Sequence, residues 1–216
     1  LTTFQLTEKI SATLNGHYTR GYGYYEQYKG IGENAITNYY SQENLEDYGI
    51  NPIIFGTDTI TQTDLIRRRW LDNHFYGAVY SFNWSPTTKY KATLGGGYHQ
   101  YLGNHYGELR WLEYAGGSDI GDLYYDNDAL KNDANVYFKN TWNFKPKWHW
   151  FGDVQYRNVY YDFTGVNDNG QPLRKNASLN FLNPKTGFTY RPNTQWKLFA
   201  SVAVGNREPN RNDYTE

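Results

Sequence analysis

The sequence predicts an all-β chain, an antiparallel transmembrane β-barrel segment of about seven strands, with residues 1–216 forming one partial barrel domain. Three observations predict it. Short polar connections carrying Pro with Lys or Arg occur at Trp84-Ser-Pro-Thr-Thr-Lys-Tyr90, Phe144-Lys-Pro-Lys-Trp148 and Tyr190-Arg-Pro-Asn-Thr-Gln-Trp196, each with a large aromatic at both shoulders. On either side of each turn, apolar and polar residues alternate with period two, the pattern of half-buried strands. The connections alternate between long and short, as in outer-membrane barrels, whose turns are short on the periplasmic side and longer outside. The shoulder residues Trp84, Tyr90, Phe144, Trp148, Tyr190 and Trp196 are expected to form an aromatic girdle at one membrane interface, because amphipathic rings favour the headgroup level.

Composition alone would suggest a soluble protein, with 38% hydrophobic residues and net charge -1 and a mean hydropathy of -0.85. The 23 Tyr and 7 Trp argue against disorder. No run approaches the ~18 apolar residues of a membrane helix, whereas only alternate residues of a barrel strand face lipid, so a barrel keeps its mean hydropathy low. The near-neutral charge gives no signal for nucleic acid. With no Cys there is neither a disulfide staple nor thiolate chemistry. With no Met and no signal-peptide pattern, the chain reads as a piece of a larger product.

In chain order, the first strand is expected over Glu8–Tyr25, with Ile10, Ala12, Leu14, Gly16 and Tyr18 on one face. A long polar connection, 26–63, follows. The second strand, 64–84, brings Tyr76, Ala78, Tyr80, Phe82 and Trp84 to the apolar face, and the third, from Tyr90 to about Trp111, brings Tyr90, Ala92, Leu94, Gly96 and Tyr98. After the connection 112–130, the fourth strand has Ala134, Val136, Phe138, Trp142 and Phe144 outward, interrupted by Asn140. The fifth has Trp148, Trp150, Gly152, Val154 and Tyr156 outward. Its connection, 164–174, carries the turn signal Asn-Gly at 169–170. The sixth strand starts on Ala177, Leu179 and Phe181 but ends on Phe188 and Tyr190 with opposite parity, which predicts a β-bulge near Asn183-Pro184. The seventh carries Trp196, Leu198, Ala200, Val202 and Val204, and 206–216 enters a further external loop. Seven strands cannot close a barrel of even strand number, and an open edge is not viable in lipid. The remaining strands are expected elsewhere in the protein.

Leu182-Asn-Pro-Lys-Thr-Gly-Phe-Thr-Tyr190, Trp196-Lys-Leu-Phe-Ala-Ser201 and Asn206-Arg-Glu-Pro-Asn-Arg-Asn-Asp-Tyr214 resemble the later barrel strands of TonB-dependent outer-membrane receptors. His17-Tyr-Thr-Arg-Gly-Tyr-Gly-Tyr-Tyr25 is similar to an upgoing strand in the same receptors, particularly those of Bacteroides-like bacteria. The resemblance implies a barrel of about 22 strands around an N-terminal plug. It also implies uptake of a scarce nutrient, such as an iron–siderophore chelate, energised by the TonB complex acting through a plug that this sequence does not contain.

No Ser-His-Asp arrangement, phosphate loop or Cys pair supports an enzyme, and no cofactor is called for. His99 and His105 are the nearest histidines in sequence but lie about 20 Å apart along a strand, too far to share a metal. Asp119, Asp122, Asp126, Asp128 and Asp133 lack the Gly and Glu offsets of an EF-hand, so no metal site is assigned. Arg67-Arg-Arg69-Trp70 could face lipopolysaccharide phosphates or an anionic ligand. Expected ligand contacts are the external aromatics Tyr24, Tyr25, Tyr39, Tyr40, Trp111, Tyr124 and Tyr125. The expected lumen wall includes His17, Lys139, Asp153, Arg157 and Lys197. The partners that follow are outer-membrane lipid and lipopolysaccharide, the TonB complex and a small nutrient ligand. A passive porin or adhesin-type barrel, and a soluble all-β carbohydrate-binding domain, are the alternative readings.

Overall fold

The computed structural model describes residues 2–30, 42–166 and 171–209. Its strands are β1 (Thr2–Thr7), β2 (Ile10–Lys29), β3 (Glu43–Asn44), β4 (Ile53–Phe55), β5 (Asp58–Ile60), β6 (Gln62–Thr63), β7 (Leu65–Thr87), β8 (Tyr90–Leu112), β9 (Leu123–Lys145), β10 (Trp148–Val166), β11 (Pro172–Tyr190) and β12 (Leu198–Ala203). Eight of them form one antiparallel sheet in the order β1-β2-β7-β8-β9-β10-β11-β12, with β1 and β12 at its edges. The strand not anticipated is β1. It joins β2 through Glu8-Lys9, a turn with neither Pro nor aromatic shoulders. Among the described residues no helix is long and apolar enough to cross a membrane, a test that does not bear on strands.

The register sorts side chains into two faces. One row runs Phe4–Ala12–Phe82–Leu94–Phe138–Val154–Pro184 and the next Leu14–Tyr80–Gly96–Val136–Tyr156–Leu182, all on one side of the pleat. Leu14, Phe82, Leu94, Phe138, Val154 and Leu182 are exposed there without any protein layer against them. The opposite row, Thr13–Ser81–Gly95–Tyr137–Gln155–Asn183, is mostly polar. Asn140 stands in the apolar band between Ala92 and Gly152, with its Oδ1 unpartnered among the described residues. No bulge accompanies it.

Five of the six shoulder aromatics make ring contacts at the short-turn end, while Trp196 stands exposed just before β12. Trp84 meets Tyr90 edge-on at 5.8 Å, Trp142 meets Phe144 at 5.7 Å, and Trp148 stacks on Tyr190 at 4.4 Å. From Tyr90 to Tyr98 the apolar band spans roughly 26 Å along the strand, the height of a hydrocarbon layer. Strands β7, β8 and β9 are each 23 residues long, about twice what a bilayer crossing needs. The connection expected over 112–130 is correspondingly shorter, because β9 begins at Leu123.

The expected bulge at Asn183-Pro184 is absent. β10 and β11 pair without interruption from Trp148↔Tyr190 to Val166↔Pro172. Parity therefore never changes, and Leu179 and Phe181 point to the polar face, the side of fully buried Val159. The physical reason is a reversal of polarity along the strand. Above the apolar band, the outer face carries Gln100, Asn132, Asn158 and Asn180, because nothing there excludes water. The fully buried apolar side chains of the sheet at that height, Leu65, Leu109 and Val159, all lie on the inner face.

Among the described residues, one compact core lies at the end bearing the long connections. Leu45 and Tyr48, in a 3-10 turn closed by left-handed Gly49, join Ile50 against Leu65 and Leu109 of the sheet. The hairpin β4–β5 and the short pair β3–β6 complete this cap. Buried Thr63 ties the cap down, donating to Asp64 O and accepting from the Tyr114 N–H, both at 3.0 Å. The segment 42–64, expected as an open loop, is thus a folded lid packed on β7 and β8.

Face assignment predicts an asymmetric response to charge. In a lipid-refolding titration of the full-length protein, Leu94→Arg is expected to cost about 2–4 kcal/mol and Thr93→Arg much less. Equal costs would contradict the two faces.

Candidate functional site

At the same end, the polar face carries a row Tyr25–Arg69–Gly107–Tyr125 across four strands. Two local features build it. Pairing shifts at Gly107/Glu108, so Tyr124 is an extra residue in β9. A bulge of this kind re-aims side chains, and here both tyrosine rings come to lie beside Gly107. A Cβ at Gly107 would stand 2.4 Å from Tyr124 and Tyr125, so the rings occupy the space that glycine leaves. The two meet edge-on at 4.9 Å.

Arg69 Nε donates to the Tyr125 hydroxyl at 3.2 Å, and its guanidinium lies 5.4 Å from that ring centre. Burial opposes the Arg69 charge, but the bond to Tyr125 and the nearby phenols raise its pKa overall, so the cation is secure. One row higher, Arg67 donates to Gln27 Oε1 at 3.2 Å and to the Tyr48 hydroxyl at 2.5 Å. Tyr48 in turn donates to Glu43 at 3.0 Å, and Lys29 pairs with the same carboxylate at 3.2 Å. Burial pushes the Tyr48 phenol well up, against the pull of Arg67, and pushes Tyr124 up to about 12. Both phenols are therefore protonated near neutral pH. They offer hydrogen bonds and ring faces, not phenolate charge.

The structure divides the expected ligand residues. Tyr25, Tyr124 and Tyr125 converge on Arg69, and none of them lies in a loop, because β2 and β9 extend beyond the apolar band. Tyr24 points the other way. It sits 4.5 Å from Trp70 with Arg68 at 4.3 Å over its ring, in an outer-face ladder that continues through Tyr22 and Tyr106. Trp111 pairs with Ile66 in β8, away from this cluster. Tyr39 and Tyr40 lie outside the described residues. Arg67-Arg68-Arg69 is no single patch, since alternation sends Arg68 outward to Glu26 at 2.7 Å and its neighbours inward.

Among the expected wall residues, His17, Lys139, Asp153 and Arg157 lie on the polar face, and Lys197 is exposed just before β12. His99 does pair with another histidine, but the partner is His17. The two flank Gly77 and meet at 2.9 Å with stacked rings. His105 instead meets Tyr101 at 3.0 Å. The five aspartates also separate. Asp126 and Asp128 accept from Asn104, Asp133 binds Arg157, and Asp122 accepts from the Asp119 N–H. Among the described residues no group of three or more His, Cys, Asp or Glu is placed to hold a metal ion.

Among solved structures, the chain is similar to the ferric-catecholate import receptor Fiu from E. coli K12. With the open form it shares 12% identity at a TM-score of 0.64, covering 96% of this chain and 34% of that one. With the closed form it shares 11% identity at 0.56, covering 93% and 31%. At such identities the likeness shows the fold, and the chain spans about a third of the length of the receptor it matches. No curated protein sequence matches it. The description "TonB dependent receptor-like, beta-barrel" belongs to a family of receptors and transporters, not an enzyme family, and its model matches residues 2–216. The chain therefore belongs to the TonB-dependent receptor β-barrels of the outer membrane.

Proposed function

We propose that the chain is the ligand-facing barrel wall of an outer-membrane receptor that takes up a scarce nutrient, an iron chelate above all, with energy delivered through TonB. The observation that carries this reading is the row Tyr25–Arg69–Tyr125 with Tyr124, set on the inner face at one end and adjoined by the folded lid 42–64. In this reading that end faces outside and the Pro-containing turns face the periplasm, since barrels of this kind put their short turns inside. Ring faces stack on flat ligand groups, and the secure Arg69 cation offers directed donors to ligand oxygens. The belt from Trp84 to Tyr190 then lies at the periplasmic headgroups. The outer ladder of Tyr24, Trp70 and Tyr106 meets lipopolysaccharide, through ring contact with its sugars, because Arg20 and Arg68 are already paired with Asp72 and Glu26.

The split of Tyr24 from Tyr25 supplies a direct test. In the full-length receptor, Tyr25→Ala with Arg69→Ala should weaken binding of the transported chelate by about ten- to a hundred-fold, the loss expected for a charged hydrogen bond. Tyr24→Ala should leave affinity unchanged. Equal effects from the two faces would overturn the site.

Deleting residues 34–59 removes most of the lid. Accumulation of labelled chelate in cells should then fall to background, while the barrel still shows heat-modifiable gel mobility. Replacing Pro146-Lys147 with Asn-Gly, a sound tight turn, should leave uptake nearly unchanged. Normal uptake in the lid deletion would point to a passive pore.

A further inference from the structure

The segment after β12 stays beside β11 only as far as Asn206. Val204 N–H still bonds to Pro184 O at 2.9 Å, but Asn206 N–H turns to the side-chain oxygen of Asn183 at 3.1 Å. Asn183 lies on the inner face, so the chain is drawn into the lumen. Two residues on, Glu208 reaches across β10 to β9, where its carboxylate accepts from Lys131 Nζ at 2.6 Å and from Arg157 Nη2 at 2.8 Å. Arg157 is also held by Asp133, which accepts from Nε at 3.0 Å and shares Nη2 with Glu208, and this fixes the orientation of the guanidinium.

These charges are arranged unevenly. Lys131, Asp133 and Arg157 stand on long strands, whereas Glu208 stands on a short strap whose residues 204–207 are exposed. Without Glu208, two strand-borne cations would face the single carboxylate of Asp133. Toward the periplasmic turns, Val204 borders a concavity of about 610 Å3 that also holds Lys91, Lys139 and Lys185 against only Asp153. Lys91 and Lys139 have no hydrogen-bond or ion-pair partner among the described residues. The strap therefore crosses the lumen wall between the mouth and a region of unbalanced positive charge.

We propose that Lys131 and Arg157 form an oxyanion site in the lumen wall, that Glu208 fills it as a built-in stand-in, and that a carboxylate or phosphate group of an incoming ligand displaces Glu208 and frees the strap. The inference rests on the uptake reading for the direction in which ligand arrives. An external oxyanion can accept the same two charge-assisted hydrogen bonds that Glu208 accepts, so the exchange sacrifices no bond. What changes is the position of residues 204–209, whose other anchors are the bonds of Val204 and Asn206 to β11.

The test uses full-length receptor in detergent, carrying a nitroxide on Arg207→Cys, with citrate as the oxyanion probe and glucose as the neutral control. Citrate should convert an immobile spectrum to a mobile one, and glucose should not. Glu208→Gln should be mobile without citrate. It should also bind citrate about five-fold more tightly or better by calorimetry, because a competitor that holds the site has been removed. Lys131→Ala with Arg157→Ala should be mobile from the outset and lose citrate binding. If Glu208→Gln fails to assemble, Glu208→Asp should give an intermediate citrate affinity. An immobile label that ignores citrate, or citrate affinity unchanged by substitution at 208, overturns the latch. Chelate accumulation in cells is scored separately. Lost uptake with an intact citrate response would sink the transport reading alone, and normal uptake with no citrate response would sink the latch alone.

Discussion

The constraint on which the structure depends is that a backbone in lipid has no water to bond, so every N–H and C=O must find a partner in the next strand. A sheet that meets this demand must pair along its whole length, and once paired it has two faces with a period of two. All 19 residues of β10 pair with β11 in one unbroken register, which fixes the face of each side chain between them. The apolar band, the aromatic belt and the polar wall are consequences of that register. Among the described residues, β1 and β12 are the two edges of this sheet.

Much of this was legible because one signal was repeated. Val136, Phe138, Leu94 and Val154 alternate cleanly with polar residues, and the three aromatic-shouldered turns locate the strand ends at one side. Apolar residues do not face outward along the whole strand. At Leu179 and Phe181 the alternation is real but inverted, since above the hydrocarbon layer water lies outside and the packed region lies inside. A parity change in the sequence thus marks the membrane boundary and not a bulge. The bulge that shapes the site, at Gly107/Glu108, leaves no such parity signature.

The candidate site was only partly legible for a related reason. Tyr24 and Tyr25 are chemically equivalent neighbours, and only the register separates one to the outer ladder and the other to the Arg69 row. The His17–His99 contact bridges 82 positions and depends on Gly77 between them, which composition cannot reveal. The lid was hidden because Leu45, Tyr48 and Ile50 are scattered through a polar segment and become a core only against Leu65 and Leu109. In each case the strand register decides which side chains meet.

Both faces of one strand follow the membrane, with polarity reversing above it. Spin labels placed singly from Tyr90 to Leu112 in the full-length receptor, reconstituted in lipid, measure this through relative accessibility to oxygen and to a water-soluble relaxant. A period-two oscillation is expected from Tyr90 to Tyr98, with even positions favouring oxygen. From Gln100 to Glu108, even positions should favour the aqueous reagent, and beyond the extra residue Arg110 the parity inverts, with Leu112 on the packed inner face. Oxygen-favouring even positions continuing through Asn104 and Tyr106, or no oscillation below Tyr98, would contradict this arrangement.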